Sequence, residues 1–141
     1  MRSAIPLVLL SLAACGGRMQ PAQLAGTSWQ LVELRSSGNA AVRVSNPAEY
    51  TIAFEHDGTA AMRLDCNRAQ GSYLLTPTGF RGGRIEFGQI AGTRAACPPG
   101  SLDQRLVREL PSAQRYRMEG ETLQIELTTN GGQQIWRRVG L

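Results

Sequence analysis

The chain has 141 residues, enough for one domain and rarely two, and 42% of them are hydrophobic, as a packed globular core requires. Its formal charge of +4 comes from 15 basic and 11 acidic residues, and every basic residue is Arg. These arginines are spread along the chain and form no stripe, which argues against a nucleic-acid partner and fits an Arg-favouring composition better than a dedicated anion-binding face.

Met1-Arg2-Ser3 is a short positive start, followed by an apolar run from Ala4 to Ala14 broken only by Pro6 and Ser11. A bilayer span needs about 20 apolar residues, so residues 1–14 read as an export signal that takes no part in the fold. The run ends in Leu12-Ala13-Ala14-Cys15, which looks like a bacterial lipobox. In proteins with that box, small residues fit the narrow peptidase pocket and the Cys thiol receives a diacylglyceryl group. Two acyl chains anchor stably where one binds only marginally. The expected partner is therefore a membrane, reached through lipidated Cys15; an ordinary secreted protein with a stray thiol is the alternative. Residues 15–23 form the lipidated Cys and a Gly-, Pro- and Gln-rich tether. Gly16 stands where many inner-membrane lipoproteins carry an aspartate, so the expected location is the bacterial envelope, anchored to the outer membrane and facing the periplasm. Export also separates the protein from cytoplasmic nucleic acid.

Three cysteines leave one over in an oxidising compartment. Lipidation of Cys15 removes the leftover and leaves Cys66 and Cys97 as an even pair, so the central expectation is a Cys66–Cys97 disulfide. Two buried free thiols are the alternative. No CxxC or CxxH spacing occurs and His56 is the only histidine, so neither a metal nor another cofactor is expected.

The folded domain is expected over residues 24–141. Thr27 to Leu34 is a strand, and residues 35–48 form a loop with Asn46-Pro47. Tyr50, Ile52 and Phe54 alternate with Thr51, Ala53 and Glu55, which predicts a strand with one buried face. His56-Asp57-Gly58 makes a hairpin turn. Ala60, Met62, Leu64 and Cys66 then share one face, so an unbroken strand would point Cys66 toward the apolar side. A tight connection leads to a strand over Gly71 to Thr76, ended by Pro77 and Gly79, and Arg84 to Gly88 alternates again. Ser101 and Gln104 have the spacing of a capping box, with Leu102, Leu106, Val107 and Leu110 on one helical face and Pro111 as the stop. Tyr116 and Met118, then Leu123, Ile125 and Leu127, then Ile135 to Val139 give the closing strands around Gly120 and Asn130-Gly131-Gly132. The fold class is mainly β (α+β): a single antiparallel sheet curved into a small barrel or sandwich, with one helix near residues 101–110.

Cys66-Asn67-Arg68 with Gly71-Ser72-Tyr73, then Thr93 through Ala96-Cys97-Pro98 and a helix ending in Leu110, resemble the META domain, the HslJ-like family. Gly26-Thr27-Ser28-Trp29 fits its opening, and Gly120, Leu123 and Ile135-Trp136 fit its closing hairpin. The resemblance spans residues 24–139. It implies an envelope protein, often a lipoprotein, linked to heat shock or to drug tolerance, with a poorly defined molecular activity. Two positions depart from the resemblance: Asp65 stands where the family often has a Gly, and Ala95 where it often has a Met.

The chain carries no convincing catalytic set, since His56 sits in a turn where a solvated histidine is expected. Asp65, Asn67 and Arg68 form the best polar cluster and a candidate binding rim. The plainer reading has Asn67 satisfying turn backbone groups while Asp65 and Arg68 form an exposed ion pair. Trp29 and Trp136 read as core. The expected function is a non-enzymatic, lipid-anchored envelope module associated with stress, with an unknown envelope protein as a further partner. The alternative is a small periplasmic inhibitor of a hydrolase or protease.

Overall fold

The computed structural model describes residues 23–128 and 131–140. The expected signal segment, Cys15, the tether through Ala22, and Asn130 of the last hairpin lie outside the described residues.

Among the described residues, ten strands and one α-helix follow one another as β1 (Thr27–Arg35), β2 (Val42–Arg43), β3 (Tyr50–Phe54), β4 (Thr59–Leu64), β5 (Asn67–Pro77), β6 (Gly82–Phe87), β7 (Ala91–Gly92), α1 (Asp103–Glu109), β8 (Ala113–Glu119), β9 (Thr122–Leu127) and β10 (Gln133–Val139). Eight of them close an antiparallel barrel in the order β1-β3-β4-β5-β6-β8-β9-β10, with β10 pairing back onto β1. Closure removes the exposed sheet edges that an open sheet would leave. The two-residue strands lie outside this ring, β2 on β1 and β7 on β5.

Alternation drives the closure. Tyr50, Ile52 and Phe54 of β3, Ala60, Met62 and Leu64 of β4, and Leu123, Ile125 and Leu127 of β9 all point inward and are buried. Trp29 and Trp136 are fully buried in the same core. Their indole N–H groups donate to Thr27 Oγ1 (2.7 Å) and Gln134 Oε1 (3.3 Å), so neither buried donor goes unsatisfied. Both tryptophans are core residues.

The helix lies across one mouth of the barrel. Leu106 of α1 and Leu110, in the 3-10 turn that follows, are fully buried. Asp103 Oδ2 accepts from Asn67 Nδ2 of β5 (3.1 Å), and Glu109 Oε2 accepts from Gln134 Nε2 of β10 (3.2 Å). In the ring order β5 and β10 stand opposite each other, so the helix is pinned at both ends to opposing walls. Arg105 pairs with Glu109 and also donates to Ser36 Oγ just beyond β1.

Three local expectations are corrected. The Ser101–Gln104 capping box does not form: Ser101 Oγ accepts the Asp103 N–H (3.3 Å), and Gln104 is exposed. Residues 67–70 are part of one long strand β5, not a connection. Finally, Cys66 does not continue the inward face of β4. Leu64 pairs with Asn67, leaving Asp65-Cys66 as a two-residue hairpin loop with Asp65 at φ +59°. The tight turn resets the alternation, so Asn67 points in and Cys66 points out.

Candidate functional site

The turn places Cys66 beside the segment that leads to α1. Cys66 and Cys97 form a disulfide, with their Cα atoms 5.5 Å apart. Behind it, buried Asn67 is the hub of a polar network. Its Oδ1 accepts from the Ala95 N–H (2.8 Å) and from Thr93 Oγ1 (2.9 Å). Its Nδ2 faces the Ala95 carbonyl (2.9 Å), Asp103 Oδ2 (3.1 Å) and Cys97 Sγ (3.3 Å), three acceptors for two hydrogens. The Ala95 N–H fixes which end of the amide is oxygen. Thr93 Oγ1 also accepts the Arg68 N–H (3.0 Å), and the Thr93 N–H donates to the Arg68 carbonyl (2.9 Å). One side chain and one covalent bridge thus hold residues 93–103 against the barrel.

Outside this clamp, a groove of about 500 Å³ runs between α1 and the β5–β7 ladder, with Asn67, Thr93, Arg94, Val107 and Arg108 among its lining. Of the expected rim residues, only Asn67 reaches it. Asp65 faces a separate depression beside Glu49 and Pro98, and Arg68 is exposed outside the groove lining. The expected Asp65–Arg68 ion pair does not form; the Arg63 Nε–H donates to the Asp65 carbonyl instead. Asn67 does satisfy backbone groups, but those of a segment some 28 residues away, not those of its own turn. His56 is exposed in the β3–β4 turn, with its ring against Gly26. Among the described residues, no three His, Cys, Asp or Glu side chains converge as a metal site.

Sequence reasoning missed Thr93, Ala95 and Asp103 as partners of Asn67. The signal available was the pairing of the two most distinctive segments, Cys66-Asn67 and Thr93–Cys97, through their cysteines. Arg94 and Arg108 gave no signal among 15 arginines. Gln134 sits at an inward position of a strand, which only the observed register reveals.

The family model of the META domain matches residues 22–138. The chain belongs to the META domain family. A protein from Burkholderia xenovorans, solved by NMR, shares 25% identity with this META chain at a TM-score of 0.70, covering 97% of this chain and 100% of that one. A DUF4847 family protein from Bacteroides vulgatus, solved by crystallography, shares the fold at 14% identity and a TM-score of 0.55, over 81% and 93% of the two chains. No curated protein matches the META chain significantly.

The META domain's two shifted tyrosines lie away from the groove. Partial burial, with Asp57 and Glu55 adding to it, pushes the Tyr73 phenol up, and burial alone raises Tyr116.

Proposed function

We propose that this META barrel is a lipid-anchored, non-enzymatic protein of the bacterial envelope, carried on the outer membrane through Cys15 and acting in the periplasm as a stress-associated binding or accessory module. The observation that carries this reading is the disulfide. It engages Cys66 and Cys97 and leaves, of three cysteines, the one that follows the apolar leader. A bridge of this kind persists in oxidising compartments, where an exported lipoprotein resides.

The non-enzymatic part is supported by the polar chemistry around the groove. Both ends of the Asn67 amide are occupied, by Thr93, Asp103 and the Ala95 backbone, in an arrangement that holds a loop. The chain's only histidine, His56, lies in an exposed turn and is not among the groove's lining residues.

Cells producing Cys15→Ala should accumulate an unprocessed precursor that takes up no labelled fatty acid and is not retained with outer-membrane material. Normal retention of that variant would overturn the anchor. Crosslinking in intact cells should yield a stoichiometric envelope partner, and deletion should sensitise cells to heat or hydrophobic drugs. An activity lost in His56→Ala, with folding intact, would revive an enzymatic reading.

A further inference from the structure

The groove beside α1 has an unpaired strand edge in it. Among the described residues, β7 pairs with β5 and with no other strand. The Thr93 N–H bonds the Arg68 carbonyl, and the register sets Gln70 opposite Ala91. In an antiparallel ladder, bonded and non-bonded pairs alternate. Gly92, at the intervening non-bonded pair with Ala69, therefore turns its N–H and C=O away from β5. A Cβ on Gly92 would lie 2.6 Å from the Arg68 carbonyl oxygen, so the position demands glycine, and the bare backbone leaves another chain room to approach.

The walls give that edge a chemical preference. Arg94 extends from the segment after β7 and Arg108 from α1, and neither makes an ion pair among the described residues. The one acidic residue lining the groove, Asp103, is held by Asn67 Nδ2. Val107, 42% exposed, and half-buried Ile90 supply apolar surface in the same groove. The disulfide and the Asn67 network fix one wall before any ligand arrives, which lowers the ordering cost of binding.

We propose that the groove between α1 and β7 binds an extended acidic peptide segment of a partner protein. The segment adds as a short strand to the edge at Gly92, sets carboxylates against Arg94 and Arg108, and lays an aliphatic side chain on Val107. This names the working face of the module proposed above and rests on that reading.

The test uses the full-length protein in detergent micelles and a fluorescein-labelled peptide of alternating Glu and Val, followed by anisotropy, with a Lys–Val peptide as control. The acidic peptide should bind and the basic one should not. Arg94→Glu combined with Arg108→Glu should weaken binding by at least about tenfold at an unchanged melting temperature. The milder Arg94→Gln/Arg108→Gln pair should give an intermediate loss, and Arg137→Glu, on β10, should give none. Amide shifts on titration should centre on Gly92, Thr93 and Val107. Equal binding of both peptides, indifference to the double reversal, or shifts mapping elsewhere would each overturn the groove assignment. A partner crosslinked through another face would also overturn it, while leaving the module reading intact. Loss of anchoring in Cys15→Ala does not bear on peptide binding in micelles, so the two readings fail separately.

Discussion

Asn67 and Ala95 grip each other at both ends: the Asn67 Oδ1 accepts the Ala95 N–H at 2.8 Å, and its Nδ2 donates to the Ala95 carbonyl at 2.9 Å. A side chain here does what a neighbouring strand would do, pairing both polar groups of one backbone residue. It can do so because the Asp65-Cys66 turn swings Asn67 into the barrel mouth, next to the segment that the disulfide holds.

Replacing Asn67 with Ala removes that pairing and leaves the Ala95 backbone, Thr93 Oγ1 and Asp103 short of partners. Buried groups left unsatisfied cost about 1–3 kcal/mol each, and part of this network can rehydrate at the groove. The expected loss is therefore about 2–4 kcal/mol of unfolding free energy, read from urea denaturation. Asn67→Asp should be worse near neutral pH, because it exchanges a donor for a negative charge facing Asp103. That variant should recover as the pH falls and the new carboxyl protonates. A loss below about 0.5 kcal/mol for Asn67→Ala would mean the clamp is not structural.

The disulfide closes a sequence separation of 31 residues. The chain-entropy relation gives about 3–4 kcal/mol for a loop of that length. Cys66→Ser should lower the melting temperature accordingly and make Cys97 reactive to alkylating reagents. Alkylation of Cys97 in the unreduced native protein would show that the bridge is absent.

Much of the barrel was legible because burial and period two coincide: Tyr50, Ile52 and Phe54, or Leu123, Ile125 and Leu127, need no tertiary context to show their inward face. The cysteine pair was legible from counting. The site was harder. The period-two reading carried Cys66 inward because it treated Asp65 as one more strand residue. The left-handed backbone at Asp65 ends the strand there, and that one turn exchanges the facing of Cys66 and Asn67. Of the Asn67 partners, Thr93 and Ala95 lie in the segment without regular structure between β7 and α1, where no periodicity exists to read. The Gln134–Glu109 contact likewise joins a strand and a helix that only closure of the ring brings together.

The Asp65 backbone makes a second prediction about that turn. At φ +59° an L residue carries a steric penalty that glycine avoids. Asp65 makes its hydrogen bonds through its backbone N–H, to the Glu49 carbonyl, and through its own carbonyl. Asp65→Gly should therefore stabilise the domain by about 0.5–1 kcal/mol, and Asp65→Val should destabilise it by more than about 1 kcal/mol, since β-branched residues tolerate this region worst. Denaturant midpoints of the two variants measure both effects, and a destabilised Asp65→Gly would contradict the assigned turn.

Tyr73 gives the fold a dependence on alkaline pH. Its hydroxyl donates to the Glu55 carbonyl at 2.6 Å, and its ring meets Phe54 edge-on at 5.0 Å. Partial burial first, and then the charges of Asp57 and Glu55, raise the phenol above its ordinary value. A group whose pKa is higher folded than unfolded holds its proton more tightly in the native state. Its contribution is complete below the unfolded value, about pH 10, and is lost as pH rises through the folded value. Tyr116 titrates in the same direction because it is buried. Stability measured from pH 7 upward should therefore be flat with respect to these two groups until about pH 10 and then fall. Tyr73→Phe should lose about 1 kcal/mol at pH 7, the worth of one hydrogen bond, and should show a shallower alkaline decline, leaving Tyr116 to account for the remainder. In the native protein, tyrosinate absorbance should rise later than in urea. An alkaline slope unchanged by Tyr73→Phe would remove Tyr73 from the account.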